Sequence, residues 1–292
     1  MLSLIALIPA LIAAGHAGRD GGIYGGAAAY TPPPRQSHSI TVPIPPPAKG
    51  VKLPAIYGPS DPSRPLVVID PGHGGHDPGA INQDMNLREK DVTLALARAV
   101  RDRIAAPGRV RVALTRDGDS YLSLQERYEL ARKMGADLFI SLHADAADNA
   151  GAQGATIYTL SETASDREAA RLAARENRSD VINGVPISDQ SGSVSSILID
   201  LSQRQAMTLS SSFAELLFRE GAPFMRFRTP YHRLASLVVL KAPDIPSILF
   251  EAGYITSAGD AEQLASQEGR DRVAQGIAQA VGVYFARRSG QP

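Results

Sequence analysis

Three short apolar runs set the narrowest limits on how this chain can fold. Residues 66–69, 138–142 and 247–250 each have the length of a strand, and a polar residue follows each run directly. The continuous apolar run at 66–69 is expected of a strand that is covered on both faces, and the other two segments contain a single serine each. Such strands occur mainly in sheets with helices on each side, so the runs predict a buried sheet.

Helical patterns between these runs favour an α/β fold. Residues 89–104 and 123–134 place apolar side chains at helical spacing, and strand-like segments come before and after each of them. This alternation predicts a single domain with a twisted, largely parallel central sheet flanked by helices. The predicted elements are strands at 66–70, 110–115, 138–142, 155–160, 237–240 and 247–250, and helices at 89–104, 123–134, 166–177, 195–219 and 270–285.

The first 17 residues have the pattern of a signal peptide. Residues 2–14 are almost wholly apolar, and small residues follow at Ala14, Gly15 and Ala17. The run is shorter than the roughly 20 apolar residues that span a bilayer. We therefore expect export, most simply to the periplasm, with no membrane span after cleavage. No basic residue precedes the run, so a buried N-terminal helix or a mis-assigned start codon are the alternatives.

Residues 18–64 are predicted to form a proline-rich tether. Eleven of the 21 prolines lie between Thr31 and Pro65. A segment this rich in proline favours extended conformations and cannot bury a core. A docking segment for a proline-reading partner is the alternative. The catalytic domain is then expected at 65–288.

Charge and cysteine content exclude several classes of function. Lysine plus arginine and aspartate plus glutamate number 30 each, so the overall charge gives no reason to expect nucleic acid as the partner. The chain has no cysteine, which excludes a thiolate nucleophile, a disulfide framework and a cysteine metal site. Any metal must be held by histidine and carboxylate.

Metal-competent residues stand at or near the ends of the predicted strands. His73 lies in a glycine-rich loop after the first apolar run, and His143 and Glu251 directly end two others. In open α/β sheets, binding sites form beyond the carboxyl ends of the strands. Taken singly, His73 could simply belong to a strand-to-helix turn, His143 to the core, and Glu89 to a solvated helix start. Glu251 is different, because a buried carboxylate at the end of a strand is costly without a partner.

Together these residues match a known type of catalytic metal site. Two histidines and one carboxylate with an open fourth position form a recognised zinc arrangement. The chain holds six histidines, and His16 and His38 fall in the signal and tether segments. His76 and His232 remain as rival ligands from the residues alone.

The chain resembles the zinc-dependent N-acetylmuramoyl-L-alanine amidases, enzymes of bacterial cell-wall remodelling and cell division. The resemblance covers residues 66–287. It is carried by four motifs, VIDPGHGG at 68–75 with DPGA at 77–80, EKD at 89–91, ADLFISLHAD at 136–145 and PSILFEAGYI at 246–255. Ala252 and Ser257 depart from the family pattern, which often has Thr and Asn there.

The resemblance implies a reaction and a role for each residue. His73, Glu89 and His143 would hold one Zn²⁺, and Glu251 would be the catalytic carboxylate. The positions of His76 and His232 are not ligands in the family pattern. The expected reaction hydrolyses the amide between the lactyl group of N-acetylmuramic acid and the L-alanine of the stem peptide in peptidoglycan. Zinc-activated water would attack, with Glu251 as general base.

Two other functions remain open at this point. One is a zinc peptidase that cuts within peptidoglycan stem peptides, and the other is a non-catalytic wall-binding module. Retention of all four site residues argues against the binding module.

Residues 161–221 form an insertion that is far longer than an ordinary connection of about 4 to 6 residues. The insertion resembles that of the division-type amidases, through ENRSD at 176–180 and ILIDLSQ at 197–203. The resemblance implies an autoinhibitory helix that a LytM-type activator protein displaces. It also implies an acidic residue that occupies the open zinc position, with Glu162, Glu168 and Glu176 as candidates. Helices that merely pack on the sheet are the alternative.

Overall fold

A computed structural model describes residues 53–147, 151–182 and 193–289. The predicted signal peptide and most of the predicted tether lie outside the described residues. Within the described part of the chain, no helix combines the length and the apolar character needed to cross a membrane.

A seven-stranded sheet forms the centre of the fold, with the order β1-β5-β2-β6-β9-β7-β8. Its strands are β1 (Ile56–Tyr57), β2 (Leu66–Pro71), β5 (Arg111–Leu114), β6 (Leu138–His143), β7 (Ala155–Leu160), β8 (Phe227–Ala235) and β9 (Ser247–Glu251), and a separate hairpin pairs β3 (Ile81–Asn82) with β4 (Leu87–Arg88). The four strands β5, β2, β6 and β9 run parallel. β1 is antiparallel to β5, and β7 is antiparallel to β9. The predicted α/β class with a largely parallel sheet is confirmed.

Helices cover both faces of this sheet. They are α1 (Glu89–Ala105), α2 (Leu124–Met134), α3 (Arg167–Glu176), α4 (Arg178–Ile182), α5 (Ser193–Gly221), α6 (Ala258–Ala265) and α7 (Gln267–Ser289). One apolar cluster joins α1, α5 and α7 to one face, and a second joins α2 and α3 to the other. Each strand of the parallel centre is buried along its whole length or nearly so, which explains its largely apolar sequence.

The sequence fixes the ends of α2 locally. The Ser123 side chain accepts a hydrogen bond from the Glu126 amide, and the Glu126 side chain accepts one from the Ser123 amide. This reciprocal pair is a capping box, which satisfies two otherwise unpaired helix N–H groups. Gly135 ends the helix in the left-handed conformation at φ 68°.

The carboxyl ends of three neighbouring strands meet at one edge of the sheet. Pro71 of β2 lies opposite Leu142 of β6, and His143 of β6 lies opposite Glu251 of β9. We call this the site edge. The candidate site residues predicted from the sequence lie at this edge.

The structure adds α4, α6 and the β3–β4 hairpin to the elements that the sequence predicts, and it differs from the predictions in two further regions. Residues 238–240, predicted as a strand, form a 3-10 helix, and the strand of this region is β8, nearer the N-terminus. Pro230 and several charged residues interrupt the apolar pattern of β8, as is common for a strand at a sheet edge. The short strand β1 lies within the predicted tether, so folded structure begins before residue 65.

Candidate metal centre and active site

The loop after β2 presents His73 in an unusual backbone conformation. His73 has φ 59°, a left-handed value that non-glycine residues seldom adopt. Two buried arginines brace the loop through backbone carbonyls. Arg127 donates to the His73 carbonyl at 2.9 Å, and Arg116 donates to the Gly72 carbonyl at 2.8 Å. Surrounding structure thus holds the strained backbone in place.

Asp77 orients the imidazole of His73. Its Oδ2 lies 3.0 Å from Nδ1 of the ring. A carboxylate on one ring nitrogen fixes the tautomer and leaves the other nitrogen free for a metal. The Nε2 of His73 therefore faces the site edge. Glycine is required at position 79, because a Cβ there would lie 2.6 Å from atoms of both His73 and Glu89.

Glu89 is the first residue of α1, and its side chain is fully buried at the site edge. Its Oε2 accepts from the Ala80 amide at 2.8 Å, and its Oε1 accepts from the Ala144 amide at 2.9 Å. Each oxygen also contacts an imidazole. Oε2 lies 3.1 Å from His73 Nε2, and Oε1 lies 3.2 Å from His143 Nδ1. The buried helix start explains why a carboxylate that looks solvated in the sequence is enclosed.

His143 is the last residue of β6 and faces His73. The two ring centroids are 4.9 Å apart with an edge-to-face arrangement. Gly72 allows this approach, since a Cβ on that residue would lie within 2.6 Å of the His143 ring. The ring nitrogens His73 Nε2 and His143 Nδ1 are buried and have no hydrogen-bond partner among the described residues.

The inserted region contributes a further side chain to this cluster, Glu176. It is the last residue of α3 and is 4% exposed. Its Oε2 lies 3.7 Å from His73 Nε2 and 3.4 Å from His143 Nδ1. Of the three acidic candidates from the sequence, Glu176 is the one at the site edge. Glu168 lies at the other end of α3, and Glu162 is exposed.

The residues at this edge form a set that could hold a cation. His73, His143 and Glu176 each offer a ligand atom, and these atoms all lie within 4.8 Å of one another. Glu89 touches both histidines as well. Two orphaned imidazole nitrogens facing two carboxylates fit the histidine and carboxylate ligands that zinc binds.

The electrostatics of the cluster favour positive charge between these groups. Burial lowers the pKa of His73, but Glu89 and Glu176 outweigh it, and the pKa lies well above its usual value. Burial lowers the pKa of His143 as well, but Glu176 and Glu89 outweigh it and raise the pKa above its usual value. Burial also raises the pKa of Glu89, but the two histidines hold that pKa well below its usual value. The site therefore attracts a cation.

Glu251 ends β9 beside this cluster and is fully buried. Its Oε2 accepts a hydrogen bond from the Asp145 amide at 3.1 Å, while its Oε1 has no partner among the described residues. Burial raises the pKa of Glu251 to about 8; Glu89 and Glu176 act in the same direction, and His143 opposes them. A carboxyl group whose pKa lies near neutrality can both accept and return a proton.

The two rival histidines lie outside the cluster. The His76 ring packs against Tyr121 with centroids 4.4 Å apart, and Nε2 of His232 lies 2.8 Å from the Thr159 hydroxyl. Neither belongs to a metal-competent group among the described residues. The structure thus brings together His73, Glu89, His143 and Glu251, and it adds Glu176.

An α/β sheet with a buried histidine and carboxylate cluster beyond its strand ends defines a class of candidate metal-dependent hydrolases. Comparison with known proteins is more specific. The family model for N-acetylmuramoyl-L-alanine amidase matches residues 67–282. The chain belongs to this family.

Curated relatives support the assignment along most of the domain. The chain is 38% identical to N-acetylmuramoyl-L-alanine amidase AmiA of Escherichia coli K12 over 221 residues, which cover 75% of this chain and 76% of AmiA. It is 36% identical to AmiC of Escherichia coli O6:H1, covering 76% of this chain and 54% of AmiC.

Solved structures share the fold. AmiC2 of Nostoc punctiforme matches with a TM-score of 0.52 and 28% identity, covering 76% of this chain and 98% of that one. The catalytic domain of CwlV from Bacillus (Paenibacillus) polymyxa matches with a TM-score of 0.57 and 24% identity, covering 76% of this chain and 98% of that one. The second likeness concerns the fold alone.

Proposed function

We propose that this chain is a zinc-dependent amidase that hydrolyses the bond between N-acetylmuramic acid and the L-alanine of peptidoglycan stem peptides. The observation that carries the proposal is the buried cluster of His73, Glu89 and His143 beside the unpaired oxygen of Glu251. Family membership supports the choice of bond. The amidase relatives over most of the domain favour this reaction over cleavage within the stem peptide.

Three residues are proposed to hold one Zn²⁺, namely His73 through Nε2, His143 through Nδ1 and Glu89 through a carboxylate oxygen. Asp77 fixes the His73 ring, and backbone amides fix the Glu89 carboxylate. A zinc ion in such a site supplies a Lewis acid that polarises a carbonyl and lowers the pKa of a water to about 7. These ligands need little reorganisation, because their supporting contacts are already present.

Glu251 is proposed to act as general base and then as general acid. Its free Oε1 accepts a proton from the attacking water and delivers it to the nitrogen of the departing L-alanine. The Asp145 amide holds the other oxygen, so the carboxylate keeps its orientation in both steps. No covalent intermediate on the protein is required, in keeping with the absence of cysteine.

We further propose that the arrangement is a resting state in which α3 closes the site. Glu176 of α3 occupies the position where a substrate carbonyl or water would meet the histidines. We call α3 the lid helix. A LytM-type activator is the proposed partner that displaces it, and export to the periplasm is the proposed location, because peptidoglycan lies outside the cytoplasmic membrane.

Product analysis on purified peptidoglycan tests the function. The full chain, with zinc and with its lid loosened by substitution of Glu176, should release peptides that begin with L-alanine and leave intact muramic acid. Mass spectrometry of the soluble products distinguishes the outcomes. Peptides that begin at a later residue would identify a stem-peptide peptidase instead, and release of nothing would contradict the proposal.

A further inference from the structure

Two arginines of β8 lie beneath the first turn of the lid helix, and we call Arg228 and Arg233 the arginine pair. Both contact the carboxylate of Glu168. Arg228 Nη1 contacts Oε1, and Nη2 donates to Oε2 at 3.3 Å. Arg233 Nη2 lies 3.2 Å from the same Oε2. One lid carboxylate is therefore shared by two guanidinium groups, whose side chains are 13% and 6% exposed.

The arginine pair extends from the catalytic carboxylate along the sheet. Thr156 of β7 lies opposite Glu251, and the neighbouring Ala155 lies opposite Phe227, directly before Arg228. Two strand spacings of about 4.8 Å therefore separate Glu251 from the start of β8. Tyr254 bridges the interval, because its hydroxyl contacts Arg228 and its ring lies 5.1 Å from the Arg228 guanidinium carbon.

Buried polar atoms around the pair lack partners in the closed state. Arg233 Nε and the Tyr158 hydroxyl have no hydrogen bond among the described residues, although both side chains are buried. A cleft of about 840 Å³ between α3 and β8 reaches Glu168 and Arg233. The carboxylates of the lid helix thus leave some of these buried polar atoms without hydrogen bonds. This is expected if a different group binds them when the lid is open.

Displacement of the lid helix would leave the arginine pair without its shared counter-charge. The exposed pair would then lie along the groove that the lid vacates. Planar guanidinium groups bind carboxylates through paired hydrogen bonds, and that chemistry selects an anionic ligand.

We propose that the arginine pair is a substrate site that binds a carboxylate of the stem peptide, and that Glu168 takes the place of this carboxylate while the lid is closed. This inference rests on the proposed amidase function and on the movable lid helix. In the closed state, Glu168 occupies the position of the stem-peptide carboxylate, and Glu176 occupies the position of the substrate group at the metal.

The spacing between the two lid carboxylates agrees with a peptide ligand. Glu168 and Glu176 are eight residues apart on one helix, a rise of about 12 Å at roughly 1.5 Å per residue. An extended peptide advances about 3.3 to 3.6 Å per residue, so three to four residues cover this distance. The carboxylate recognised by the arginine pair thus belongs to the third or fourth residue of the stem.

A binding measurement tests the arginine pair without requiring turnover. The protein is the full chain carrying Glu168→Ala, which removes the carboxylate that the two guanidinium groups share, while Arg233 keeps its contact with Asp166 at 2.7 Å. The probe is the tetrapeptide L-Ala-D-Glu-L-Lys-D-Ala, whose fourth residue carries the terminal carboxylate, and it is compared with the same peptide carrying a carboxamide at that terminus alone. Calorimetry should show about tenfold tighter binding of the free-acid peptide, the scale expected for a charge-assisted contact.

Substitution of Arg228 should abolish this preference. Adding Arg228→Gln to the Glu168→Ala chain should bring the two affinities within about twofold of each other, whereas Arg226→Gln should preserve the tenfold difference. Arg226 is a matched control, because it lies just before β8 and contacts Gln153 instead of the lid. Thermal melts of each variant verify folding.

Equal affinities in the Glu168→Ala chain, no measurable binding, or selectivity that survives Arg228→Gln would each overturn the inference. Failure of the amidase proposal has a different signature. In that case purified peptidoglycan is not cleaved at the L-alanine bond, while the binding experiment still decides whether the arginine pair recognises carboxylates.

Discussion

At the scale of single residues, the site depends on buried ionisable side chains such as that of Glu251. Glu251 has one oxygen held by the Asp145 amide and one oxygen unpaired. A purely structural carboxylate at this depth would be expected to have both oxygens satisfied. We propose that this unpaired oxygen is the atom that takes a proton from the attacking water and returns it to the departing amine.

Replacing Glu251 with Gln should remove turnover and leave metal binding intact. The amide keeps the shape of the side chain but cannot accept the proton, so kcat should fall by roughly 10²- to 10⁴-fold. Hydrolysis of dye-labelled peptidoglycan and the zinc content of the purified protein give the two readouts. Glu268→Gln, on an exposed position of α7, is the control. Wild-type rates in Glu251→Gln would exclude it as the base.

Asp70 lies near the end of β2 and stabilises the loop that carries His73. It is fully buried and accepts hydrogen bonds from Arg127, Thr115 and Ser141. Burial raises the pKa of Asp70, but these three partners outweigh it and hold the pKa below the usual 3.8. The charged form is therefore the one that stabilises the fold.

Replacing Asp70 with Asn should lower the free energy of unfolding at pH 7 by about 3 to 5 kcal/mol, because it leaves Arg127 buried without its counter-charge. Since the folded pKa is depressed, the stabilisation is present above pH 3.8 and is lost as the pH falls through the lower folded value. Urea unfolding across this range should show an acid-dependent loss in the wild type that is smaller in Asp70→Asn. Identical pH profiles would refute the assignment.

At the scale of elements, the sequence predicts those strands and helices that have a strong local pattern of apolar or capping residues. β2, β6 and β9 are largely apolar, and α2 has a capping box, so the sequence predicts each of them within about two residues. The sequence does not predict β8, because Pro230, Arg228 and Arg233 interrupt its apolar pattern, as an edge strand tolerates. The position of α3 over the site edge depends on contacts with distant residues, and therefore the sequence left three acidic candidates.

Polar contacts fasten the lid helix at both ends. Glu168 binds the arginine pair at its start, and Arg175 pairs with Asp145 near its end. Beyond it, Asp180 of α4 accepts from the Leu124 amide at the start of α2. These polar contacts act beside an apolar one, since Ala169, Leu172 and Ala173 of α3 pack in the second apolar cluster.

Replacing Glu176 with Ala should raise the activity of the chain in the absence of a partner. Loss of a charged contact worth about 1.5 to 3 kcal/mol would shift the closed-to-open equilibrium by roughly 10- to 150-fold. Initial rates on labelled peptidoglycan measure the change. Glu162→Ala, on an exposed residue of the same insertion, should have no effect. An intact chain that is already fully active would argue against a closing lid.

At the scale of the whole molecule, metal occupancy should couple to stability. Binding that favours the folded state adds about 2.7 kcal/mol when the free ion is at 100 times its Kd. Chelation should therefore lower the Tm and abolish hydrolysis, and added zinc should restore both. His76→Ala should behave like the wild type, whereas His73→Ala should not recover. Activity that resists exhaustive chelation would contradict the zinc proposal.

The position of Glu176 has a consequence for how tightly a metal is retained. If its carboxylate joins the ligands only when the lid helix is closed, then metal binding and closure favour each other. An activator that opens the lid would then weaken the binding of the metal. Thermodynamic reciprocity requires that the metal weaken the binding of the activator by the same factor. The closed form would then bind zinc more tightly than the open form. Each opening of the lid would make the ion easier to lose to other metal-binding molecules.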